Sequence, residues 1–77
     1  MSNYESTIYQ IRIKEQIALT WADWFDPLVI HHETNGATTL IGPLRDQAEL
    51  FGILTKVNNL NLTLIALAQV EHSDIAA

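Results

Sequence analysis

Residues 28–44 read LVIHHETNGATTLIGPL. Two β-rich runs flank Asn35-Gly36, and that dipeptide between such runs is a strong local sign of a hairpin. Two registers compete. A two-residue turn at Asn35-Gly36 pairs Ile30 with Ile41. A three-residue loop, Thr34-Asn35-Gly36 with Gly36 left-handed, pairs Ile30 with Leu40. The second gathers Leu28, Ile30 and Leu40 on one face, and a slip of one residue would send that set to the other face. The second is therefore the expected register. In it His32 shares the inner face with Ile30, and His31 points outward with Glu33.

Upstream, YQIRIKEQI (9–17) alternates: Tyr9, Ile11, Ile13 and Ile17 on one side, Gln10, Arg12, Lys14 and Gln16 on the other. That period belongs to a half-buried strand. In LTWADWFDP (19–27), Trp21, Trp24, Phe25 and then Leu28 recur at helical spacing. Thr20 is the expected N-cap, Asp23 sits in the first turn, and Pro27 stops the helix. At two turns or fewer, it depends on packing.

Downstream, DQAELFGILTKVNNL (46–60) is the main helix. Asp46 with Glu49 three residues on resembles a capping box. Leu50, Ile53, Leu54, Val57 and Leu60 form its apolar stripe, and Asn58, Asn59 and Asn61 end it. Gly52 costs about 1 kcal/mol relative to Ala and is read as allowing close approach to the sheet. LTLIALAQV (62–70) is the last strand, with Leu64, Ala66, Ala68 and Val70 on one face and Ile65 and Leu67 on the other. Both faces are apolar, so both are expected to be covered.

The order is β-α-β-β-α-β in one domain, residues 1–77, with an ordered core over about 8–71 and frayed ends. The expected class is α+β, a ferredoxin-like sandwich with a very short first helix. The second crossover is long enough to make the strands it joins parallel. The first spans roughly ten residues, near the minimum for that purpose. The alternative is a three-stranded meander followed by helix and strand.

The chain has 77 residues, no cysteine, and four Lys+Arg against nine Asp+Glu, for a net charge of −5. A domain this short buries only about 60–65% of its unfolded surface, and its core supplies roughly 3–5 kcal/mol. Lack of cysteine excludes disulfides and thiolate metal sites. Self-association or very efficient packing is left. The hydrophobic fraction of 48% and mean hydropathy of +0.10 are rich for so small a domain. Arg12, Lys14, Arg45 and Lys56 are scattered, whereas nucleic acid and anionic membranes call for clustered positive charge. The longest apolar stretch, LNLTLIALAQV (60–70), falls far short of the ~20 residues of a membrane helix. MSNYESTIYQ has neither the basic start nor the apolar core of a secretory signal. A cytoplasmic protein with no nucleic-acid or membrane partner is expected.

WADWFDPLVIHHE (21–33) holds both tryptophans, Phe25 and the paired histidines. Large aromatics bury about 150–250 Å² each, and here they are read first as the plug of a core too small to close with aliphatic residues, Trp24 being buried. The functional reading makes Trp21, Trp24, Phe25 and His32 a candidate pocket, with His32 as a general base near neutral pH. Adjacent histidines on a strand face opposite ways, and one His with distant carboxylates is not a metal site. The tail EHSD (71–74) is metal-capable but lies in a frayed end. No nucleophile elbow or phosphate loop appears. No catalytic residue, metal or cofactor is expected. Ile41, Ile65 and Leu67 are the candidate dimer face, beside the polar stripe of the first strand. A homodimeric structural or regulatory interaction module is thus the expected function. The alternative is a small-molecule binding protein, or a cofactor-free oxygenase or isomerase, with a pocket near Trp24 and His32.

The pieces YQIRI, WADWFDPLVIHHE, TTLIGP and DQAELFGILTKV, in that order, resemble a group of short, uncharacterised bacterial proteins. The resemblance covers about residues 9–70, and W-x-x-W-F and DQAxLxGxL are its specific parts. It implies a compact small domain and transfers no catalytic residue. A likeness to amino-acid-sensing domains of the ferredoxin-like fold is topological only; EQIALTW stands where their glycine-containing loop would be.

Overall fold

The computed structural model describes residues 7–70; residues 1–6 and 71–77, on which the EHSD tail and nearly all of both ends expected to fray fall, lie outside the described residues. Strand β1 (Thr7–Ile13) leads through a turn of 3-10 helix (Leu19–Trp21) into the four-residue α1 (Ala22–Phe25). The hairpin β2 (Val29–His32) and β3 (Thr38–Leu44) follows, then α2 (Gln47–Asn59) and β4 (Leu64–Val70). Among the described residues the class is α+β: one four-stranded antiparallel sheet, in the order β2-β3-β1-β4, and two α-helices. A meander would set β2 beside β1; β3 stands there instead. Since β1 and β2 both run antiparallel to β3, they are parallel to each other across it. In the same way β3 and β4 are parallel across β1. Each crossover therefore skips one strand.

Local chemistry accounts for the elements. The hairpin adopts the three-residue loop: Ile30 faces Leu40, the Glu33 N–H bonds the Ala37 carbonyl at 2.8 Å, and Gly36 has φ 93°. That φ lies in the region where a Cβ is penalised. Asp46 caps α2 by accepting from the Glu49 N–H at 3.0 Å. The Glu49 carboxylate returns to the Arg45 N–H, one residue earlier than in a regular capping box. The far end is a Schellman motif: Asn61 is left-handed (φ 62°), its N–H bonds Asn58, and the Leu62 N–H bonds Val57. Thr20 is not a cap, since neither short helix has a side-chain cap bond.

The core lies on one side of the sheet, built from Ile11, Ile13, Ile30, Leu40 and Leu44 of the strands, Leu50, Ile53 and Val57 of α2, and Ile17, Phe25 and Leu28 of the first crossover. Ile17 lies beyond β1, yet it is buried. The buried Thr38 hydroxyl holds that segment in, accepting from the Ile17 N–H (2.9 Å) and donating to the Glu15 carbonyl (2.8 Å).

Three further expectations need correction. Trp24 is not buried: both tryptophans are 39% exposed, and Phe25, at 0%, is the plug. Gly52 does not bring α2 close to the sheet, because nothing lies within 4 Å of a Cβ placed there. The tight glycine is Gly42, where a Cβ would stand 2.8 Å from the Pro27 carbonyl oxygen. Finally, β4 is not covered on both faces. Residues 64–69 are all exposed, and Leu67 lies across from Ile11, on the core side of the sheet. A bulge at the Arg12/Ile13 step makes Leu64 the partner of Ile13 and leaves Ile65 as the extra residue.

Candidate functional site

The aromatic corner is an exposed cluster around one buried ring. Trp21 and Trp24 meet edge to face, with centroids 6.0 Å apart and planes at 71°. The Lys56 ammonium, from α2, donates to the Trp24 carbonyl at 2.9 Å and sits 5.3 Å from the centre of that ring. This contact ties α1 to the flank of α2 and is worth about 0.5–1 kcal/mol at an exposed site. His32 lies across from Thr38 and so on the inner face, as the hairpin register requires. Its Nε2 donates to the Ile17 carbonyl, which fixes the tautomer and joins the end of β2 to the segment after β1. His31 is exposed; beside it the Thr39 hydroxyl donates to Glu33.

These side chains do not come together in either of two surface grooves. One groove, of about 220 Å³, lies between Pro27, Leu44, Gly52 and Lys56. A second, of about 290 Å³, lies between Ile17, Trp21, Leu60 and Leu62. Trp21 borders the second; Trp24, Phe25 and His32 border neither. Both fall short of the roughly 300–1,000 Å³ that encloses most small ligands. Among the described residues no group of three or more His, Asp or Glu side chains is placed to hold a metal ion.

Strand β4 is the larger open surface. On its inner side Leu64, across from Ile13, and Leu67, across from Ile11, are 45% and 42% exposed, and the bulge residue Ile65 is 50% exposed. Helix α2 turns Glu49, Gly52 and Lys56 toward Pro27 and Trp24. Helical spacing then puts Phe51 and Leu54 on the opposite flank, toward β4. Phe51 is 56% exposed, and Leu54 packs against the core. The sign of this surface in the sequence is Phe51 itself, a large apolar residue off the stripe formed by Leu50, Ile53 and Val57. Ile41 does not belong here: it pairs with Gln10 and Val29, on the outer face of the sheet, so it shares no face with Leu67.

Near the start of β4, the Thr63 N–H and hydroxyl each donate to the Glu15 carboxylate at 2.7 Å. These bonds, the backbone one first, hold the Glu15 carboxyl below its usual range.

Among the described residues no helix is long and apolar enough to cross a membrane. No curated protein and no solved structure gives a significant match to the chain. One family model does match, over residues 8–68, which takes in both helices, β2 and β3, and most of β1 and β4. The chain belongs to that family, described as Domain of unknown function (DUF8691).

Proposed function

We propose that the chain is a homodimeric structural or regulatory interaction module on a ferredoxin-like frame. The strand order β2-β3-β1-β4, with each crossover skipping one strand, supports the frame. One observation carries the module: β4 is an apolar strand at the sheet edge, exposed on both faces. Two regular helices normally roof four strands, and here the first has shrunk to four residues. The roof stops at α2, and Ile65, Leu67 and Phe51 are left open to water. Clustered apolar surface of this kind marks an interaction site, and a two-fold pair is the commonest way for a small chain to cover it. Static light scattering at micromolar concentration tests the reading. The expected mass is twice the 8.7 kDa of one chain; a mass near that of one chain overturns it.

A further inference from the structure

We propose that two copies join edge to edge through β4, antiparallel about a two-fold axis, so that their sheets become one of eight strands. This rests on the homodimer reading above and names the surface that carries it.

The sheet has two edges, and they are built differently. At the β2 edge the strand is only four residues long, begins just after Pro27, and carries His31 and His32 before Glu33. Short length, proline and polar side chains are the usual means of preventing edge pairing. The β4 edge has less of this protection: Gln69 is its one polar side chain, and a bulge at Ile65 interrupts its pairing with β1. It runs for seven residues, LIALAQV, without proline, glycine or charge. Alternate backbone N–H and C=O groups of such a strand point away from β1, and within the described residues no further strand meets them.

A second copy is the occupant that fits. Each chain carries a net charge of −5, which opposes self-association in general. The β4 segment carries none of that charge, so pairing it with itself brings no like charges face to face. An axis near the middle of the strand also sets Leu64 of each copy beside Leu67 of the other, strands being about 4.8 Å apart. The open strips beside α2 thereby merge, with Phe51 at either margin. Stacking two copies through the outer face fits less well. There Ile41 is joined by Gln10, Arg12 and His31, whose polar groups would lose water.

The chain has no cysteine, which permits a direct test. Single cysteines are placed in turn at positions 64–70, and at Gln10 and Ile41, and oxidised under mild conditions. About a two-fold axis a residue meets its own copy only at the centre of the pairing. A disulfide needs Cα atoms about 4.4–6.8 Å apart, whereas a residue three places from the axis is roughly 20 Å from its counterpart. The expected result is efficient cross-linking at one position, or two adjacent ones, within 64–70, and none at Gln10→Cys or Ile41→Cys. Leu67→Asp is expected to give the mass of a single chain with its helical circular dichroism retained; should that variant fail to fold, the cysteine scan decides. A wild-type protein that is monomeric overturns the homodimer reading and this inference together. A wild-type dimer with no cross-link within 64–70 overturns edge pairing alone.

Discussion

Phe25 and Trp24 are neighbours in a helix of four residues, and only one of them is inside. So short a helix presents a single inward position. Pro27 and Leu28, laid over Gly42, fix that position on Phe25. Trp24 is left on the flank, where its ring meets Trp21 and the Lys56 ammonium. Phe25→Ala is expected to cost about 3–5 kcal/mol, as for large aromatics in cores. Trp24→Ala is expected to cost about 1 kcal/mol, the size of an exposed cation–π contact and part of a ring's packing. Urea melts of the two variants, run side by side, check the order; a larger loss at Trp24 would contradict it.

At the scale of elements, the two glycines inside regular structure play opposite parts. Gly52 lies mid-helix with open space around its missing Cβ, so nothing in the packing requires it. Gly52→Ala is expected to raise stability by up to about 1 kcal/mol, the propensity difference in a helix interior. Gly42 sits on β3 under the Pro27 carbonyl, and the atoms its Cβ would meet are mostly backbone, which cannot step aside. Gly42→Ala is expected to destabilise by about 1–3 kcal/mol, the usual range for forcing an extra methyl into a packed site. Denaturant midpoints of the two variants should move in opposite directions. The same scale shows why α2 is sharply bounded: Asp46 caps one end and left-handed Asn61 closes the other.

For the whole molecule, the Glu15–Thr63 tie joins residues 48 apart and anchors the edge strand to the end of β1. Its carboxyl titrates below its usual value in the folded state. The stability it contributes is therefore fully present above the unfolded value and is lost as pH falls through the folded one. Between pH about 5 and the acid limit, the wild-type protein should lose more stability than Glu15→Gln, which cannot titrate there. Urea midpoints of both proteins at mildly and strongly acidic pH measure this. Parallel losses would show that the tie contributes nothing to acid sensitivity.

What the sequence by itself determined were features set by residues close together in the chain. The hairpin register follows from Gly36, which accepts φ 93°, and from the need to keep Ile30 with Leu40. The start of α2 follows from Asp46, and the inward set of β1 from its alternation. Coverage was not legible, because it depends on what packs over a residue from elsewhere in the chain. Alternation separated Leu67 from Ala66 and Ala68, but only its pairing with Ile11 put Leu67 on the core side, and the bulge at Ile65 put Leu64 there with it. Helical spacing grouped Trp21, Trp24 and Phe25, but the path of Pro27 and Leu28 over Gly42 decided which ring is buried. The open β4 surface was likewise decided by the tertiary structure. A strand with two apolar faces is covered only where a helix reaches it, and a four-residue α1 leaves α2 to roof the sheet.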